Sequence, residues 1–116
     1  MTTTDRPGHR PVIEVLYVQA CPHYPATLAL VERVRAEVGI DAELRTSVIV
    51  DQAAADQVGF PGSPTVRVDG RDVEPDSEPA TEYVVGCRLY RLEHRFVSQP
   101  EERWIREALL QAVGRS

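Results

Sequence analysis

VLYVQACPHYPATLAL, residues 15–30, changes its hydrophobic period at a single cysteine. Ahead of Cys21 the chain reads VIEVLYV over residues 12–18. That run is rich in β-branched residues and mostly apolar on both faces, the pattern of a central strand, with Glu14 as its exception. After Cys21 come Pro22, His23, Tyr24 and Pro25. Then Leu28, Val31, Val34 and Val38 recur at helical spacing until Gly39 ends the run, which predicts a helix over residues 25–38. A strand, a cysteine corner and a helix therefore open the fold.

Working outward, AELRTSV (42–48) alternates and reads as a second strand. DQAAADQVG reads as a short helix, with Asp51 as N-cap and Gly59 just past its end. PTVRV (64–68) is a third strand closed by the Asp69-Gly70 turn. RDVEPDSEPATE (71–82) is acidic and proline-rich, hence a solvated loop. CRLYRLE (87–93) alternates and supplies a fourth strand, with Arg88 and Arg91 turned outward and Tyr90, like Trp104, packing inward. Ser98 and Glu101 are spaced as a capping box for a last helix that carries Ile105, Ala108, Leu109 and Ala112 on one face. The order is β-α-β-α-β-β-α. It predicts an α/β fold of one domain over residues 12–116, a mixed four-stranded sheet flanked by helices, behind a flexible arm of residues 1–11. A helix between the first two strands calls for a right-handed parallel crossover.

A chain of 116 residues makes one domain with a core of its own. A net charge of -5 argues against a nucleic-acid footprint and against an anionic membrane as partner. MTTTDRPGHRP carries no apolar segment of the secretory type, and no apolar run reaches membrane-spanning length. The cytoplasm is the expected compartment, where Cys21 and Cys87 are thiols rather than a permanent bridge. The sequence calls for no cofactor.

Three matched features resemble the thioredoxin superfamily: strand 12–18 leading into Cys21-Pro22-His23 at a helix start, the segment VGFPGSPTVRVDG (58–70), and a closing amphipathic helix. The match covers residues 12–113. It implies a thioredoxin-like fold and a thiol site built on Cys21 and lined by Pro22, His23, Tyr24, Ser63, Pro64 and Thr65. Pro64 matches the superfamily's cis-proline, so the resemblance also implies a cis Ser63–Pro64 bond close to Cys21. Backbone groups beside such a proline are where an extended substrate can pair. The implied partners are protein or small-molecule thiols and disulfides, glutathione among them. A helix N-terminus stabilises a thiolate, His23 can add positive charge, and Pro22 suits a first helical turn because it needs no N–H partner there. Tyr24 stands where a CxxC motif has its resolving cysteine, so turnover of the usual CxxC type is not expected.

Cys87, 66 residues after Cys21, carries a second resemblance. The organomercurial (alkylmercury) lyases also place one cysteine at a helix start and a distant second one just before a strand. There, two thiolates grip mercury and an aspartate three residues after the first cysteine protonates the leaving carbon; Tyr24 occupies that place here. This resemblance implies Cys21 and Cys87 as a catalytic pair and as ligands to a soft metal ion such as mercury or copper(I). A zinc set of Cys21, His23, Cys87 and His94 fits no closed zinc spacing. Three classes of function follow: thiol-dependent redox or thiol transfer, soft-metal binding or alkylmercury-lyase-like chemistry, and a scaffold without catalysis. Whether the two thiols meet is open on geometry. A simple hairpin leaves the start of the fourth strand far from Pro64, whereas the lyase resemblance and the long 71–86 loop favour proximity.

Overall fold

The computed structural model describes residues 10–75 and 83–114. Residues 1–9 of the expected arm, with His9, and residues 76–82 of the expected acidic loop lie outside the described residues. The elements are β1 (Val12–Tyr17), α1 (Tyr24–Val38), β2 (Glu43–Val48), α2 (Gln52–Val58), β3 (Thr65–Val68), β4 (Arg71–Asp72), β5 (Tyr90–Leu92), β6 (Arg95–Val97) and α3 (Glu102–Gly114). A four-stranded mixed sheet runs in the order β2-β1-β3-β4, so the strand ahead of Cys21 is central, as its two-sided apolar pattern requires. β1 pairs with β2 in parallel from Val12↔Glu43 to Tyr17↔Val48. It pairs with β3 antiparallel from Ile13↔Val68 to Leu16↔Thr65.

The two-residue alternation of β1 divides the core into two layers. Ile13 and Val15 join Val66 and Val68 under α1 and α3, which contribute Val31, Val34, Ile105, Leu109 and Ala112. Leu16 turns to the other face, where Ile49, Ala55 and Phe60 pack beneath α2. Glu14 shares that second face. Its strand neighbours are Arg45 on one side and Arg67 on the other, so a carboxylate interrupts the apolar run where cross-strand arginines flank it. Arg67 itself donates to the Val58 and Gly59 carbonyls at 2.9 and 2.8 Å, at the negative end of α2.

Helix ends follow their local chemistry. Asp51 caps α2 by accepting from the Ala54 N–H at 2.8 Å, and Gly59 ends it at φ 66°. Gly39 ends α1 at φ 74°. α1 starts at Tyr24, with His23 at the N-cap position and Pro25 in the first turn, where its missing N–H costs nothing. Pro22, expected in that first turn, instead lies with Cys21 in the bend ahead of the helix. Cys21 therefore stands outside α1, two residues before its N-cap, and receives less of the helix's positive end.

The second half departs from the expected order. The fourth strand of the sheet is β4, not CRLYRLE. Asp69 (φ 51°) and Gly70 (φ 83°) form a two-residue turn with positive φ at both positions, which feeds the chain straight back along β3. RDVEPDSEPATE thus begins as a strand rather than as a loop. Within 87–93 only Tyr90–Leu92 is strand, and it pairs with Arg95–Val97 in a separate two-stranded sheet, with Glu93 at φ 56° in its turn. Ser98 is not the cap of α3. A helix capped there would need Gln99 in the α region, which the following Pro100 disfavours, and α3 begins at Glu102. No helix among the described residues is long and apolar enough to cross a membrane.

Replacing Asp51 by alanine should lower unfolding free energy by about 1 kcal/mol, since it removes a seated N-cap. Ser98→Ala should change it by less than about 0.5 kcal/mol, as for a half-buried site with no capping role. Urea denaturation of both variants checks the pair, and equal losses would contradict the assignment of the two helix starts.

Candidate functional site

The end of β1 and the start of β3 lie side by side, so the turn that follows β1 and carries Cys21 lies at the same end of the sheet as the Ser63–Pro64 segment. The Cys21 N–H donates to the Val18 carbonyl at 3.0 Å. The Val18 N–H donates in turn to the Ser63 hydroxyl at 3.1 Å. The Ser63–Pro64 bond is cis. Ser63, Pro64 and Thr65 are all buried.

Cys87 reaches this corner by a route the sequence did not disclose. It pairs in parallel with Ser63: the Ser63 N–H donates to Gly86 O at 2.7 Å, and the Arg88 N–H donates to Ser63 O at 2.9 Å. A run of hydrogen bonds thus links Cys21 to Val18, Val18 to Ser63, and Ser63 to the residues on either side of Cys87. The segment 83–90 forms a strap along residues 59–64. Val84 N–H donates to Phe60 O at 3.1 Å, and Gln52 holds the Tyr83 carbonyl at 2.6 Å. The buried Tyr90 hydroxyl donates to Pro64 O. The hairpin objection fails because β4 takes the place beside β3 and leaves residues 83–88 free to return to the Pro64 end.

Arg88 fixes the strap to the sheet. Its residue exposure is 7%, against the outward orientation expected of it. The guanidinium donates to Asp72 at 2.6 and 3.1 Å, to Glu74 at 2.9 Å and to the Thr65 hydroxyl at 3.1 Å, and lies 4.0 Å from the centre of the Tyr90 ring. Burial works against its charge, but the Asp72 hydrogen bonds, with Glu74 beside them, hold its pKa above the ordinary value. Burial likewise pushes the Tyr90 phenol far above its usual range. Asp72 and Glu74, expected in a solvated loop, are the counter-ions of this site. Arg91 is exposed as expected, though its backbone N–H also donates to Glu74. Gly62 admits the strap. At φ 131° it suits only glycine, and a Cβ there would lie 2.8 Å from Arg88 Cβ and 3.1 Å from Cys87 O.

The remaining predicted residues are spread around the corner. Pro22 is exposed and His23 half-buried. Tyr24 stacks on Tyr17 with ring centres 3.6 Å apart. Burial, with Tyr17 next to it, raises the Tyr24 pKa above 10.0. Both cysteines are free; Cys21 is 7% exposed, whereas Cys87 is exposed. Among the described residues, no three His, Cys, Asp or Glu side chains gather where they could hold a metal ion, and His94 sits in the β5–β6 turn. A cavity of about 550 Å³ lies between β4 and α3, walled by Val68, Arg71, Trp104, Glu107 and Ala108 among others, and includes none of the predicted site residues.

Sequence reasoning missed Arg88 and Gly62. The signal for Arg88 was the alternation itself, which puts it on the same side as Tyr90 and opposite Cys87, Leu89 and Arg91; its charge argued the other way. Compared with known proteins, the chain matches no protein-family model and no curated protein sequence.

Arg88→Met keeps the bulk and removes the charge. It should cost about 2–3 kcal/mol, below the range for a fully buried pair because Asp72 and Glu74 keep some contact with water. Chemical denaturation measures this, and a loss under about 0.5 kcal/mol, the scale of an ordinary surface change, would show that Arg88 does not hold the strap.

Proposed function

We propose that this chain is a thioredoxin-like thiol protein in which Cys21 and Cys87 act as a pair. The observation that carries the reading is the backbone pairing of Ser63 with Cys87, on a serine whose hydroxyl is one residue's hydrogen bond away from the Cys21 turn. The thioredoxin-like assignment draws further support from the sheet order β2-β1-β3-β4, with α1 and α3 on one face and α2 on the other. The β5–β6 hairpin is an insertion ahead of the last helix.

In this reading Cys87 substitutes for the resolving cysteine absent at Tyr24. One thiolate attacks a disulfide sulfur and expels a thiolate; the second attacks the mixed disulfide and closes a Cys21–Cys87 bridge. The partner is a protein or small-molecule disulfide or thiol, glutathione included. Two free thiols, one of them on a segment paired with Ser63, also favour a second reading, a two-thiolate grip on a soft metal ion such as mercury or copper(I). Cleavage of an alkyl–mercury bond is less favoured, because Tyr24 stands in the proton donor's place and its raised pKa makes it a weaker acid than an ordinary phenol.

Mild oxidation of the reduced protein should close one intramolecular Cys21–Cys87 disulfide, found by peptide mapping. On the second reading, the reduced protein binds mercury or copper(I), and that binding should be lost in both Cys21→Ser and Cys87→Ser. No bridge and no two-thiol metal binding would leave the domain as a scaffold without thiol chemistry.

A further inference from the structure

Resting on the thiol-pair reading, we infer that Cys87 is the thiol that meets the incoming disulfide and that Cys21 is the one that resolves it. Two independent observations point this way. The first is access: Cys87 is exposed on the strap, between the exposed Val85 and Leu89, whereas Cys21 is 7% exposed. Thiol exchange needs an open approach to the sulfur. The second is the state of the backbone beside Cys21. An extended chain carrying a disulfide could dock there only by pairing with free N–H and C=O groups at the start of β3. Both groups of Ser63 are already taken, by Gly86 and Arg88, and further along Val73 N–H fills the carbonyl of Val66.

The strap therefore stands where a substrate strand would stand, and the residue it offers to the corner is a cysteine. Cys87 thiolate attacks one sulfur of the disulfide RSSR and expels RS⁻, leaving Cys87–S–S–R. Cys21 thiolate then attacks the Cys87 sulfur, and the second RS⁻ leaves. Two electrons pass from the dithiol to RSSR, which becomes two thiols, while the protein retains a Cys21–Cys87 disulfide. A low-molecular thiol running the same steps backwards restores the dithiol.

Reduced wild-type protein is mixed with oxidised glutathione, quenched with acid at early times, and mapped by mass spectrometry. The first mixed disulfide should be on Cys87, and it should decay into the intramolecular bridge. Cys21→Ser should trap the glutathione adduct on Cys87, with no decay into a bridge. In Cys87→Ser, Cys21 should react at least roughly tenfold more slowly, as a shielded thiol does. If removing Cys87 disturbs the strap, the early wild-type adduct still decides the order. A bridge that forms by way of a Cys21 adduct would overturn the assignment of roles and leave the pair intact. Absence of any bridge would overturn the pair itself, and the assignment with it.

Discussion

A single buried guanidinium joins the charged, apolar and thiol-bearing regions of this molecule. Arg88 reaches β4 through Asp72, the second residue past β4 through Glu74, β3 through the Thr65 hydroxyl, and the small hairpin through the face of Tyr90. Removing a charge from water is costly, and the cost is met when the buried group is both hydrogen-bonded and paired with opposite charge. The planar fork directs four hydrogen bonds from its two terminal nitrogens to oxygens; the point charge of a lysine could not reach the same set. Once Arg88 is seated, the direction of the preceding residues is fixed, and Cys87 is held beside Ser63.

The thiol corner is accordingly a composite. Cys21 comes from the connection between β1 and α1, and its turn is hydrogen-bonded to the strand end it follows. Cys87 comes from a segment that belongs to neither layer of the core. Ser63 is the residue the two segments share, using its side chain toward Val18 and its backbone toward the strap. Thr65, the residue after Pro64, has a matching role: its hydroxyl donates to Gly62 O at 2.6 Å and accepts from Arg88. Two nearby hydroxyls thus tie the two approaches to the site.

The sequence was most informative where one element decides its own state. Strand β1, helix α1 with Gly39, and α2 between Asp51 and Gly59 each carry period and end signals within a few residues. The mixed sheet and its parallel first crossover follow from their order. Legibility failed where the outcome depended on distant partners. Arg88 looked like a surface residue because Asp72 and Glu74 looked like solvated loop residues, and each assignment supported the other. Gly62 looked like an ordinary turn glycine until the backbone of residues 87–88 arrived against it. Cys87 was legible as a candidate from its resemblance, but its location depended on β4 taking the strand position assigned to residues 87–93.

The strap is closed at both of its ends by bonds to the body of the fold: Glu74 to Arg88 and the Arg91 N–H on one side, Tyr83 and Val84 to Gln52 and Phe60 on the other. With bonds on both sides of it, Cys87 cannot leave Ser63 by a swing about one end: the hydrogen bonds before it and those after it would have to break together. Residues 83–91 are in that sense held as a clasp fastened at two places rather than as a flap on a single hinge.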